Sequence, residues 1–202
     1  MALTYLLIAI NVGVSLIGFT RMNSISGGRM FMFSPFEVAN GKNYLGMLLS
    51  HFSHADATHL LFNMMTLYFF GDSVEYGLGP LLMLLIYVVA GIVSTLVIYY
   101  RHRSDPNYRA LGASDSVTAI IFAAIVLVPG SYVSFLLIPY PIPAPIFAIG
   151  YIVISVFLMR RGGGHISHEA HLAGAVTGLV LSGIFSPEGF SPLLRRIQDL
   201  IS

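Results

Sequence analysis

The sequence has no cysteine and little charge, and these absences exclude several kinds of protein. Without cysteine the chain forms no disulfide bonds and has no thiolate chemistry. Only 9% of its residues are charged, against about 25% in soluble domains. The formal net charge of +1 provides no basic field that would attract nucleic acid. What remains is an integral membrane protein, because hydrophobic residues make up 56% of the chain.

The hydrophobic residues form runs that are long enough to cross a bilayer as helices, which takes about 20 residues. The first run lacks the basic segment of a signal peptide and exceeds the length of its apolar core, so we expect it to be retained. Prolines after Val128 break a later run that is too long for one crossing. The pattern predicts one all-α membrane domain (1–202) with six transmembrane helices, at about 2–19, 55–71, 77–100, 114–128, 144–159 and 170–187.

The cationic residues are unevenly distributed across these predicted spans. Among the arginines and the lysine, only Arg195 and Arg196 fall on the side of the termini. Cytoplasmic loops are enriched in Lys and Arg. The charge pattern therefore predicts that both termini lie outside.

Two polar residues lie inside the second predicted span, where such groups are costly and suggest function. His59 and Asn63 are four residues apart, so they project from the same helix face. Both donate hydrogen bonds, and two donors on one face could stabilise a developing oxyanion. The structural alternative is a His–Asn hydrogen bond that joins two helices.

A serine and a histidine at the starts of two other spans complete a possible catalytic group. Ser114 follows Gly112 where a polar loop becomes an uncharged span; alone, it would be interpreted as a helix N-cap. His171 precedes Gly174 and Gly178, whose spacing lets two helices pack closely. A serine hydroxyl needs a neighbouring base to act as a nucleophile. No carboxylate is placed to orient the histidine, so the pattern favours a Ser–His dyad.

Four stretches resemble the motifs of the rhomboid family of intramembrane serine proteases, in the same order and spacing. His54–Met64 resembles the signature of the second helix, and Phe70–Gly79 resembles the turn that follows it. Gly112-Ala113-Ser114 resembles the GxSG nucleophile motif. Ala170–Gly178 resembles the AHxxGxxxG motif that carries the base.

The resemblance implies a bundle of six transmembrane helices with a long, partly membrane-embedded first loop. Ser114 would attack a peptide carbonyl, His171 would take the serine proton, and His59, Asn63 and the Ser114 N–H would form the oxyanion hole. No cofactor or metal is implied, and the partners are transmembrane protein substrates and the lipid bilayer. The implied location is the plasma membrane of a bacterium, with cytoplasmic termini, opposite to the orientation that the charges predict.

The sequence departs from the family pattern near the nucleophile and in the first loop. The last glycine of GxSG is Asp115, whose carboxylate would oppose the oxyanion unless it points into water. Thr118 stands where the family often has an aromatic residue. Asn43–Gly46 replaces a Trp-Arg pair.

Other functions remain open at this point. An inactive rhomboid-like protein would bind membrane clients without cutting them, and Asp115 favours this alternative. A metal site or transporter would use the histidines, since imidazole suits zinc; they form two groups: His51, His54 and His59, and His165, His168 and His171. The HExxH zinc motif is absent. An aspartyl protease is set aside because the aspartates lie at span ends or in loops.

Overall fold

Helices account for most of the chain that the computed structural model describes, which comprises residues 2–21, 25–135, 138–161 and 167–202. These residues form ten helices and one two-stranded antiparallel sheet. In chain order the elements are α1 (Ala2–Arg21), α2 (Ile25–Arg29), α3 (Pro35–Ala39), α4 (Tyr44–Leu49), α5 (Ala57–Leu78), α6 (Pro80–His102), α7 (Ser114–Leu127), β1 (Tyr132–Phe135), β2 (Ile138–Pro143), α8 (Ala144–Arg161), α9 (His168–Phe185) and α10 (Ser191–Ile201). The prediction of an all-α membrane protein is confirmed, and α1, α6 and α8 are each long and apolar enough to cross a membrane.

The second long helix extends further than the sequence indicated. We expected it at 55–71 with the next span from 77, whereas α5 ends at Leu78 and α6 begins at Pro80. Gly79 separates them with a φ of 82°, a conformation that glycine adopts without strain. The predicted end was too early, and most of the stretch Phe70–Gly79, which was expected to form the turn after the helix, belongs to α5 itself. The other predicted spans differ from their helices by three residues or fewer at each end.

Glu75 is tolerated in α5 because its carboxylate caps another helix. It accepts hydrogen bonds from the backbone N–H groups of Leu3 (3.1 Å) and Thr4 (2.9 Å), and from the Thr4 hydroxyl (2.8 Å). The first N–H groups of a helix have no partner within it and carry a partial positive charge. The acidic side chain therefore joins α5 to the start of α1.

The long first connection folds into the short helices α2, α3 and α4. Glu37 of α3 is buried and forms ion pairs with Arg29 (2.5 Å) and Arg109 (3.3 Å). A β-bridge between Phe33 and Ala110 also joins this loop to the segment before α7. Helix α4 exposes apolar side chains, as a partly membrane-embedded loop requires: Tyr44, Leu45 and Leu48.

A β-hairpin, not a tight turn, connects α7 to α8. Strands β1 and β2 pair antiparallel, with Tyr132 opposite Pro143. Proline has no N–H to donate to a neighbouring strand, so it is confined to sheet edges. Both strands of this sheet are edges, which explains how prolines that end the helical run are accommodated in β2.

Helix α7 is the centre of the bundle and is buried along nearly its whole length. It packs against α5, α6 and α9. At Gly174 and Gly178 of α9 the two backbones are so close that an added Cβ would meet the carbonyl groups of Asp115 and Ala119. This close approach brings the start of α9 to the start of α7.

Candidate active site

Ser114 and His171 form a hydrogen-bonded pair between α7 and α9. The Ser114 Oγ lies 2.6 Å from the His171 Nε2. Ser114 is the first residue of α7, and His171 lies in the first turn of α9. In the described part of the chain, no carboxylate lies within 4 Å of a His171 ring nitrogen. The arrangement pairs a hydroxyl with a base that has no acidic partner.

Ser114 is not the N-cap of its helix. The cap position is Ala113, which supplies no side-chain hydrogen bond. The Ser114 hydroxyl is directed at His171 instead of at the backbone. The Ser114 N–H has no hydrogen-bond partner among the residues described. The capping alternative therefore does not account for this serine.

Gly112 lets the loop before α7 pass directly against His59. Its φ is 128°, and a Cβ at this position would lie 2.7 Å from the His59 Cε1 and 3.6 Å from the Ser114 Oγ. Its N–H donates to the carbonyl oxygen of Ser50 at 2.9 Å. Any larger residue would combine backbone strain with a steric clash. The glycine thus brings the imidazole of His59 close to the serine.

His59 and Asn63 face the same cavity as the Ser–His pair. Asp56 caps α5 by accepting a hydrogen bond from the His59 N–H (2.8 Å). One N–H of the Asn63 amide donates to the His59 carbonyl oxygen (2.9 Å) within the same helix. The alternative of a His–Asn bond joining two helices is therefore not seen in the described residues.

A cavity of about 1000 Å³ opens onto these side chains. Near its rim the cavity is lined mostly by polar side chains, which include Arg101, Asp105 and Arg109. Its inner part reaches Ser114 and His171, at the starts of α7 and α9. A volume of this size holds many water molecules, since one water occupies about 30 Å³ in the liquid. The site can therefore be supplied with water.

His54 supports His59, a role that the sequence did not reveal. Its Nδ1 lies 2.9 Å from the Ser15 Oγ of α1. Its ring meets the His59 ring edge-on, with the centroids 4.9 Å apart. Burial lowers the pKa of His54 to about 4, and His59 acts in the same direction. A neutral, fully buried imidazole thus fixes the orientation of His59. The cluster of histidines in the sequence is the feature that could have indicated this role.

The histidines do not form a metal site in the part of the chain that the structure covers. No group of three or more His, Cys, Asp or Glu side chains there is arranged to hold a metal ion. His165, which the metal alternative included, lies outside the described residues.

Asp115 does not point into water. It is only 5% exposed, and its Oδ1 accepts a hydrogen bond from the Ser116 N–H (2.7 Å). Its Oδ2 lies 3.7 Å from the Nδ1 of His51. The Ser116 hydroxyl donates to the carbonyl oxygen of Tyr87 (2.8 Å), so it is not a second nucleophile in this arrangement. The carboxylate next to the serine is thus paired with an imidazole.

A polar cluster at the rim fixes the start of α9 against the end of α6. The Nε2 of His102 lies 2.6 Å from Glu169, and Arg101 lies 3.9 Å from the same carboxylate oxygen. The ring of Tyr108 stacks on that of His102 with centroids 3.7 Å apart, and its hydroxyl bonds Ser167 (3.1 Å). These residues hold the turn of α9 that carries His171, and their positions along the chain gave no sequence signal.

A sequence model of the rhomboid domain matches residues 41–188, well over half of the chain. The chain belongs to the rhomboid family. The resemblance seen in the four motifs is thereby confirmed, and the rhomboid match includes α5 to α9 and both members of the Ser–His pair.

Named rhomboid-like proteins are also similar to this chain. RHOMBOID-like protein 12, mitochondrial, of Arabidopsis thaliana is 32% identical over 168 residues, 74% of this chain and 48% of that protein. Presenilin-associated rhomboid-like protein A, mitochondrial, of Danio rerio is 29% identical over 159 residues, 78% of this chain and 40% of that protein. Rhomboid-like protein 16, chloroplastic, of Arabidopsis thaliana is 26% identical over 167 residues, 74% of this chain and 51% of that protein. The rhomboid chain spans about half the length of the curated relatives it matches.

The expected location is corrected by these comparisons. We expected the plasma membrane of a bacterium, on the family resemblance alone. The names of the matching relatives place those proteins in mitochondria or chloroplasts of eukaryotes. These relatives overturn the expectation of a bacterial plasma membrane, which composition and motifs alone could not establish.

Proposed function

We propose that this rhomboid-family protein is an intramembrane serine endopeptidase that cleaves membrane-anchored proteins in or near their transmembrane segments. The observation that carries the proposal is the hydrogen bond of 2.6 Å between the Ser114 Oγ and the His171 Nε2. Family membership supports it, since rhomboids are generally intramembrane serine proteases. The names of the relatives support an organellar membrane as its site of action.

The reaction begins with attack of the Ser114 oxygen on a peptide carbonyl carbon. His171 accepts the serine proton through Nε2 as the C–O bond forms, and then donates it to the leaving amine as the C–N bond breaks. Water next attacks the acyl-enzyme, with His171 again as base, which releases the new carboxyl end and restores Ser114. Because no carboxylate is bonded to His171 in the described residues, the proposed unit is a dyad.

Three donors are proposed for the oxyanion of the tetrahedral intermediate. The Ser114 N–H is unpaired among the described residues, and His59 and Asn63 face the same cavity from α5. Gly112 and His54 fix the His59 ring beside the serine. Donors that are already oriented stabilise the developing charge without reorganisation at the moment of reaction.

The test is labelling of the purified protein in detergent with a fluorophosphonate probe. We expect the wild-type protein to be labelled, and we expect Ser114→Ala to lose the label while keeping its melting temperature. Ser116→Ala is the matched control, because this neighbouring hydroxyl bonds the Tyr87 carbonyl and not His171; it should be labelled like the wild type. A folded wild-type protein without label would refute the proposal and favour a rhomboid-like protein that binds membrane clients without cutting them.

A further inference from the structure

His51 and Asp115 are the ionisable groups near the nucleophile that the proposed mechanism does not use. Both line the cavity that contains Ser114 and His171. Asp115 follows the nucleophile directly and replaces the last glycine of the GxSG motif. An unpaired carboxylate at this position would repel the negative oxyanion that forms on the substrate. The pairing with His51 removes this objection.

The surroundings of His51 favour its charged form. Its Nδ1 lies 3.7 Å from the Asp115 Oδ2, and its Nε2 lies 2.7 Å from the Thr95 hydroxyl of α6. Burial alone would lower the pKa of His51, but the neighbouring Asp115 carboxylate outweighs burial and raises it. Gly91 of α6 gives the ring its space, since a Cβ there would lie 3.3 Å from the His51 Nδ1.

Several other ionisable groups line the same cavity as His51. Asp115 is the sole carboxylate of the described residues within 4 Å of a His51 ring nitrogen. The remaining ionisable groups that line the cavity come from the start of α5, the end of α6, the following loop and the start of α9: Asp56, His59, Arg101, His102, Asp105, Tyr108, Arg109, His168, Glu169 and His171. Within the described residues, Asp115 is therefore the carboxylate that acts on the His51 ring at closest range.

We propose that His51 is a charge-compensating partner of Asp115, and that its protonated form allows Ser114 to react beside an aspartate. The inference rests on the serine-protease function proposed above. With His51 protonated, the pair is neutral and leaves the oxyanion unopposed. When His51 loses its proton at higher pH, the pair carries one negative charge beside the reacting atoms. His51 is thus a positioning residue that acts through Asp115 and does not contact the substrate.

The prediction is a rate that falls on the alkaline side. At an effective dielectric constant of about 20, one uncompensated negative charge near the reacting atoms slows formation of an oxyanion on the order of tenfold. The rate of fluorophosphonate labelling should rise as His171 becomes neutral and fall above the ordinary histidine pKa of about 6.5. Asp115→Asn should lose the fall, because it removes the charge and keeps the side-chain shape.

A double-mutant cycle separates charge compensation from simple anchoring. His51→Gln should be labelled about tenfold more slowly than the wild type at its optimum. Adding Asp115→Asn to His51→Gln should restore the rate. Asp105→Asn is the matched control, since it removes a carboxylate from the exposed rim and should leave the profile unchanged. Melting temperatures establish that each variant is folded.

Each result decides the proposal. An alkaline fall that persists in Asp115→Asn, or a His51→Gln variant as fast as the wild type, would overturn it; the second result applies even where Asp115→Asn does not fold. If labelling depends on Ser114 but either of these two results is found, only the role of the His51–Asp115 pair is refuted. Absence of Ser114 labelling in folded wild-type protein would refute the pair and the protease function together.

Discussion

Gly174 offers the sharpest test of how helix packing produces the proposed dyad. A Cβ at this position would meet the backbone carbonyl of Asp115, the residue after the nucleophile. A clash with backbone atoms cannot be relieved by a change of rotamer, as a clash with a flexible side chain can. In Gly174→Ala, α9 and α7 must therefore separate by about 1 Å to restore ordinary contact distances.

The expected effects on stability and on activity differ in size. Overpacking of this kind lowers the free energy of unfolding by about 1–3 kcal/mol. The better helix propensity of alanine offsets about 1 kcal/mol of this loss. The folded variant should also lose about 100-fold in labelling rate, because misplacing catalytic groups by about 1 Å has an effect of that order. The start of α9 carries His171, so the separation acts directly on the Ser–His hydrogen bond.

Two further alanine substitutions provide the comparison. Gly178→Ala meets the carbonyl of Ala119, one turn further from the dyad, and should destabilise the fold comparably while reducing the labelling rate less. Gly150→Ala in α8 has no atoms within 4 Å of the added Cβ and should be neutral or slightly stabilising. Melting temperature and labelling rate in detergent measure both effects. Full activity in a folded Gly174→Ala variant would refute the idea that this contact sets the dyad geometry.

Two other predictions concern the chemistry of the site. Asn63→Ala should lower kcat by about 100- to 1000-fold with little change in stability, because one oxyanion donor is lost; an unchanged kcat would remove Asn63 from the oxyanion hole. A chelator such as EDTA should leave Ser114-dependent cleavage unchanged, since no metal-binding group is found in the described residues; a loss that added zinc reverses would revive the metal alternative.

The helical fold could be predicted from the sequence because membrane spans have a simple signature. Uncharged runs gave six helices close to their observed positions. The prediction failed at the end of α5, which continues past Gly71 and includes the acidic Glu75. That side chain is satisfied by the N–H groups at the start of α1, more than seventy residues away in sequence. A contact of this kind has no local pattern.

The residues of the candidate site were identified from motifs, whereas their supports were not. Ser114, His171, His59 and Asn63 all face one cavity. The roles of His54 and of the rim cluster depend on which helices are neighbours, so spacing along the chain could not reveal them. The pairing of Asp115 with His51 also depends on the fold, so no pattern along the chain indicated that this charge has a partner.

The short length of α7 is compatible with the hydrolysis proposed for this membrane protein. At 14 residues it is shorter than the roughly 17 residues that the shortest spanning helices need. Its start therefore lies below the bilayer surface if its end reaches the opposite side. A helix start leaves N–H groups unpaired, which is costly in lipid but suits a water-filled cavity. The Ser114 N–H, unpaired among the described residues, is in that position, so the start of the helix leaves free the backbone donor that the proposed oxyanion hole needs.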